Sequence, residues 1–305
     1  MQKKYEITGG KVVETRGDEA TLLVFVGPDD TEKRYLVDHL KIDEHTLQSA
    51  LDPDELSRLE FEPEHVALIM KRPKNYSALE QFMFRVTSMG LFLFEDRLVV
   101  VVSEGDPLFE GKPFVAVRTL MDVLLRLLYQ SIFHFLQHLK VINMVSEELE
   151  QKINASMENR YLLNLFALEK SLVYYLNAIH TNGVLISKLK NNAGKLKIAD
   201  EQLEYLDDII VENDQCYKLA EIYSNVLSSV MDARASIVNN NLNVLMKTLN
   251  IITIGIMVPT LVVSIFSMNV PIPMQHSGGA FLAIMSLAVG SAAAVMLFWR
   301  YKKFW

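Results

Sequence analysis

Residues 248–269 read TLNIITIGIMVPTLVVSIFSMN and contain no charged side chain. At ~1.5 Å rise per residue, a helix of about 22 residues spans the ~30 Å hydrocarbon of a bilayer, so this stretch predicts a membrane span. A short break over residues 270–279 leads to a second uncharged run, residues 280–299, which stops at Arg300. The pair predicts a helical hairpin across the membrane. Counting back from Ser264 in threes and fours meets Thr260, Met257, Thr253, Leu249, Met246 and Asn243, one helical face of small, hydroxyl-bearing or soft side chains. The opposite side is Ile, Val and Leu. An unpartnered hydroxyl or amide in apolar surroundings costs roughly 1–3 kcal/mol, so this face is expected to pack on another helix or line a water-filled path. Gly255, Thr260 and Ser264 suit close helix packing, the commoner use of small residues in a span. The end of the span suits the other use. Ser267-Met268-Asn269 stands ahead of Pro271 and Pro273, which places an amide side chain at the membrane edge. Symmetric copies of Asn269 would form a ring of oxygen ligands at a pore mouth, and hard cations such as Mg²⁺ take oxygen ligands, often through retained water.

The 305 residues are half hydrophobic, with a net charge of −7, which leaves room for one soluble domain beside the helical part and the two spans. Met1-Gln2-Lys3-Lys4-Tyr5 runs straight into polar, strand-like sequence with no apolar signal core. Lys247, Arg300, Lys302 and Lys303 flank the hairpin on one side, whereas residues 270–279 hold no Lys or Arg. The positive-inside rule then gives a multi-pass protein of the cell (inner) membrane with both termini cytoplasmic. The lone Cys216 excludes an internal disulfide framework and is expected to be inert packing.

Residues 1–112 predict a cytoplasmic α/β domain with a mixed sheet. Short runs rich in Val, Phe, Ile and Leu occupy residues 12–14, 21–26, 34–37, 66–71, 81–87, 91–94 and 98–103, between turn signals such as Gly27-Pro28-Asp29-Asp30 and Glu95-Asp96-Arg97. A helix is expected over residues 43–51. Gly9-Gly10 reads as an ordinary turn, and neither a phosphate loop nor a nucleophile elbow occurs, so no enzyme is expected. From about Pro113 the period becomes 3.6. Residues 120–142 are apolar, but Asp122, Arg126, His134, His138 and Lys140 are too costly for lipid, so a soluble amphipathic helix is predicted to about Ser156. His134 and His138 share a face at metal-ligand spacing. With no acidic base beside them, packing or solvent exposure is the expected role. A second helix is predicted from about Glu158 to Lys190, ended by Asn191-Asn192-Ala193-Gly194, and a third from Asp200 to Phe266. About 67 residues at ~1.5 Å each make a rod of about 100 Å, which needs sister copies to cover its apolar stripe.

A long charged helix running into a span that ends in Met268-Asn269, then a short loop, a second span and the basic aromatic tail Tyr301-Lys302-Lys303-Phe304-Trp305, resembles the CorA family of divalent-cation transporters. The resemblance covers the whole chain. The family carries Gly-Met-Asn where this chain has Ser267-Met268-Asn269, and Asn243, Met246, Leu249, Met257, Thr260, Met268 and Asn269 fall in register on its pore-lining and filter positions. It implies a CorA-like funnel, a homopentamer with the third helices ringed around the axis and Mg²⁺ as transported and regulatory ion, without an organic cofactor. Asp207, Asp208, Glu212, Asp214, Glu221 and Asp232 lie along the stalk, ordinarily a solvated face. Asp232 matches a family position for regulatory metal, but its expected acidic partner is Ser49 here, leaving Asp52, Asp54 and Glu55 as substitutes. The loop also lacks the acidic residues of many members and offers Gln275 and His276.

The division expected is a cytoplasmic α/β domain (1–112), two long cytoplasmic helices (113–198), a stalk helix (199–247), a pore helix (248–269), an extracellular or periplasmic loop (270–279), a second span (280–299) and a basic cytoplasmic tail (300–305). The expected function is divalent-cation transport, Mg²⁺ first with Zn²⁺, Co²⁺ and Ni²⁺ left open. The assigned roles are Ser267, Met268 and Asn269 as filter, Asn269 as metal ligand, and Asn243, Met246, Leu249, Thr253, Met257, Thr260 and Ser264 as pore lining. Asp232, Asp208 and Asp52 are the regulatory-metal candidates. The alternative is a non-conducting oligomeric scaffold or metal sensor anchored in the bilayer. No nucleic-acid partner is expected.

Overall fold

The computed structural model describes residues 1–17, 20–76, 82–105, 108–109, 114–155, 159–270 and 276–301. Outside them lie the expected strand start at Gln81, the change of period at Pro113, and the helix bounds at Ser156 and Glu158. So do Pro271, Pro273, Gln275, Lys302, Lys303, Phe304 and Trp305. The chain forms two compact units, Met1–Met231 and Asp232–Trp305.

Seven strands make the sheet of the first unit: β1 Gln2–Thr8, β2 Lys11–Glu14, β3 Leu22–Val26, β4 Arg58–Phe61, β5 Val66–Pro73, β6 Val86–Leu93 and β7 Leu98–Val102. Their order is β2-β1-β3-β7-β6-β5-β4, parallel between β3 and β7 and antiparallel elsewhere. Gly9 and Gly10, at φ of 59° and 76°, close the β1–β2 hairpin in the left-handed region that glycine enters without a Cβ penalty. All five residues of β7, LVVVV, are buried because the strand is central and covered on both faces. Along β3 the sides alternate. Leu22 and Val24 join the core under the long helices, while Leu23 and Phe25 join a second core with Leu36, Ile42, Leu47 and Ala50. Each such fully buried aliphatic side chain contributes about 1.5–3 kcal/mol.

The second core is roofed by the π-helical turn Tyr35–His39 and α2 Glu44–Leu51; α1 Asp30–Arg34 leads into the turn and buries no residue of its own. Residues 34–37, expected as a strand, are therefore helical. The reason is a capping box: the Asp29 carboxylate accepts from Thr31 N at 2.9 Å and Glu32 N at 2.8 Å, and Glu32 Oε2 accepts from Asp29 N at 3.2 Å. Of the runs expected at 81–87 and 91–94, only residues 86–87 and 91–93 lie in strand, both in β6, while residues 82–85 precede it outside any strand; Gly90 of β6 permits close contact with α2. A Cβ on Gly90 would come within 2.6 Å of Ala50 Cβ. β4 carried no alternation to announce it, since all four of its residues are half-buried at the sheet edge.

The other face carries α3 Leu120–Ala155, α4 Asn159–Asn191 and the first part of α5 Asp200–Phe266. Leu124, Leu128, Phe135 and Leu139 of α3 meet Leu168, Leu172 and Tyr175 of α4 and Leu206, Ile209 and Cys216 of α5 in one core. Burial pushes the Cys216 thiol up to about 12, which keeps it an unreactive packing residue. A polar knot ties the layers together. Asn182 of α4 accepts from Lys71 N at 2.9 Å and donates to Lys71 O at 2.8 Å, and Ser131 of α3 donates to the same carbonyl at 2.9 Å.

Candidate functional site

The second unit comprises the end of α5 and α6 Ala280–Tyr301. Both helices are long and apolar enough to cross a membrane, and no residue in the apolar window of α5 is buried. A core helix of a soluble protein would be covered there, and both helices stand at the carboxyl-terminal end, where a signal sequence does not. The half-covered positions of the span in α5 are Ile251, Gly255, Val258, Pro259, Val262 and Phe266, a single face. The covered or half-covered positions of α6 include Ala283, Ile284, Ala288, Ser291, Ala292, Val295 and Trp299, of which the alanines and the serine are small residues of the kind that let membrane helices approach. Pro259 has no N–H, so the Gly255 carbonyl has no i+4 donor on this face.

The opposite face of α5 is the candidate site. Asn243, Met246, Leu249, Thr253, Met257, Thr260 and Ser264 are all exposed, as are Ser267, Met268 and Asn269 beyond the helix end. Every expected lining residue thus lies on the uncovered side of the helix, where Ile252, Ile254, Ile256, Leu261 and Val263 beside them are uncovered too. The structure changes one part of the argument from burial cost. Thr253 Oγ1 donates to Leu249 O at 2.9 Å and Thr260 Oγ1 to Ile256 O at 2.7 Å. With their protons placed on the backbone, these hydroxyls do not by themselves exclude lipid; what they turn outward is oxygen lone pairs. Such acceptors suit the water around a cation, whose hydrogens point away from the ion.

At the helix end Ser267 N donates to Ser264 O at 3.2 Å, an i to i+3 bond that tightens the last turn, and Ser267 Oγ donates to the same carbonyl at 2.9 Å. Ser267 keeps a negative φ, so its side chain is accommodated without left-handed strain. Its proton is committed to the helix, so like Thr253 and Thr260 it can offer only oxygen lone pairs, and Asn269, exposed two residues on, adds an amide that can present oxygen.

The acidic candidates are arranged differently. Asp52 caps the end of α2, and its Oδ1 accepts from Asp54 N at 2.9 Å. Glu55 is paired with Arg58 at 2.7 Å, and the same guanidinium reaches Glu60 at 2.7 Å and Ser49 at 3.0 Å. Asp208 and Asp232 are exposed. Among the described residues no three His, Cys, Asp or Glu side chains stand close enough to share a metal ion. Behind the loop at residues 52–55 lies a group the sequence reading missed. Lys71 is buried, and its Nζ donates to Pro53 O at 2.7 Å and to Ser88 Oγ at 2.8 Å. Burial pulls its ammonium down to about 8, against the opposing pull of Asp52, Asp54 and Glu55. A lysine inside the apolar run Val66–Pro73 was the available signal.

A family model described as CorA-like Mg²⁺ transporter protein matches residues 19–302. The cobalt/magnesium transport protein CorA of Methanocaldococcus jannaschii is 25% identical over 297 residues, covering 92% of this chain and 92% of that protein. The complete structure of the CorA magnesium transporter from Methanocaldococcus jannaschii aligns with a TM-score of 0.80 at 21% identity, covering 98% of this chain and 96% of that one. The structure of the full-length CmaX protein aligns at 0.72 with 15% identity, covering 99% and 97%. These likenesses give the fold: an α/β domain, long helices and two apolar spans at the carboxyl-terminal end. With the family match running over nearly the whole length, the chain belongs to the CorA-like Mg²⁺ transporter proteins.

Proposed function

We propose that this protein conducts divalent cations, Mg²⁺ foremost, across the cell (inner) membrane through the central pore of a homopentamer. The observation that carries the reading is the uncovered stripe of α5 that leads from Asn243 to the exposed Asn269 just past the helix end. Five copies of Asn269 would offer the ion's hydration shell a ring of amide oxygens, a hard donor set that holds Mg²⁺ through its water. Below it, the hydroxyl oxygens of Thr260 and Thr253 accept from the same water, and Met257, Leu249 and Met246 form an apolar constriction that dewets when the path is closed. In this reading the domains divide as the sequence suggested, with both termini cytoplasmic. Asp232, with Asp208 or Asp52 of a neighbouring copy, takes regulatory Mg²⁺. Glu55 is the weaker partner, because Arg58 already neutralises it.

In proteoliposomes, Asn269→Ala should abolish Mg²⁺-driven flux while the oligomer stays intact by size-exclusion chromatography. Unchanged flux removes Asn269 from the filter. A wild-type protein that passes no divalent cation at any Mg²⁺ concentration replaces the pore by the anchored scaffold.

A further inference from the structure

His134 and His138 stand one turn apart on α3, and their contacts go beyond ordinary packing. Their Nε2 atoms face each other at 3.1 Å, with ring centroids 4.4 Å apart. The other ring nitrogen of His138, Nδ1, shares a 2.6 Å hydrogen bond with the Tyr175 hydroxyl of α4. That tyrosine is fully buried and wedged edge-on against Phe135 at 5.0 Å and Phe84 at 6.5 Å, so its hydroxyl is a fixed point. Both imidazoles are only half-buried, and solvent reaches the pair.

We propose that His134 and His138 bind a borderline first-row divalent cation, Zn²⁺ being the type case, through their two Nε2 atoms, with water completing the coordination. Two metal–nitrogen bonds of about 2.0–2.1 Å that end on atoms 3.1 Å apart subtend about 98°, between the octahedral and tetrahedral angles. Binding through both Nε2 atoms requires each neutral ring to carry its one proton on Nδ1, so a proton held between the two Nε2 atoms moves to the Nδ1 of its own ring through solvent, and His138 Nδ1–H then donates to Tyr175 Oη. A second ring nitrogen held this way is how metal-binding histidines are commonly oriented. The neutral imidazole ring has one nitrogen lone pair to give, which is the form a metal takes up. Imidazole nitrogen selects Zn²⁺, Ni²⁺ or Co²⁺ over Mg²⁺, which takes oxygen. Among the described residues no third His, Cys, Asp or Glu joins the pair, so the cation is exchangeable and not structural. The site lies in the first unit and stands independently of the pore.

The test is calorimetric titration of Zn²⁺ into the full-length protein in detergent, with Mg²⁺ in large excess to fill oxygen-donor sites. The wild type should retain one Zn²⁺ site per chain that Mg²⁺ does not displace. His134→Ala, at a half-exposed position, should lose that site with an unchanged thermal midpoint in the absence of Zn²⁺. Tyr175→Phe should weaken binding roughly tenfold by releasing Nδ1. Wild-type Zn²⁺ stoichiometry in His134→Ala, displacement by Mg²⁺, or no Zn²⁺ uptake by the wild type each overturns the proposal.

Discussion

Gly90 shows how little room single residues leave in this fold. A methyl group there would lie 2.6 Å from Ala50 Cβ and 2.9 Å from Phe92 Cε2, and Ala50 has no flexible end to swing aside. Alanine in a strand would gain up to ~1 kcal/mol from reduced backbone freedom, whereas overpacking a core costs about 1–3 kcal/mol, so the clash wins. Gly90→Ala should lower the thermal unfolding midpoint of the full-length protein, and an equal or higher midpoint would show that α2 can lift off the sheet freely. Ser267 teaches the opposite lesson. Its side chain is tied back to the Ser264 carbonyl, so the hydroxyl is accommodated locally at the helix end.

Among the elements, α3 and α4 are joined by a contact that should respond to acid. His138 is held near 4 by burial and by His134 on its own helix, with Tyr175 facing it from α4. An unfolded histidine binds its proton near 6.5, so between about 6.5 and 4 the unfolded chain is protonated at this site while the folded one is not. The stability this group contributes is fully present above 6.5 and is lost as pH falls toward 4. Unfolding midpoints recorded across that window should therefore drop more steeply in the wild type than in His138→Gln; parallel slopes would refute the assignment. The helical spans were readable in the sequence because a 3.6 period and the absence of charge are local properties. Residues 34–37 were misread as a strand because they look like one until the Asp29 and Glu32 capping bonds that start the helical stretch ahead of them are seen.

At the scale of the whole molecule, the exposed stripe of α5 needs an environment that one chain does not supply. If copies meet around an axis with this stripe facing water, cysteines placed at Thr253 and Thr260 should react with water-soluble thiol reagents in at least one state of the protein, Mg²⁺-bound or Mg²⁺-free. Cys216, buried and with its thiol pushed up to about 12, should give little background. Absence of labelling at both positions in every state would mean the stripe is packed or faces lipid, and would favour the scaffold.

That Asn243, Met246, Leu249, Thr253, Met257, Thr260 and Ser264 share a face could be read in advance, because helical periodicity fixes which side chains lie together, whatever the rest of the chain does. The same local logic located both spans and the inert Cys216. Tertiary structure alone decided that Thr253 and Thr260 spend their protons on their own backbone, and that Arg58 already occupies Glu55. It also decided that Lys71 is buried under the loop at residues 52–55, and that Tyr175 backs the His134–His138 pair. Each of these rests on partners whose pairing depends on distance and angle. Apart from the hydroxyls' own-helix bonds, most join different elements, and residue order along a chain does not encode the separation of atoms that folding brings together.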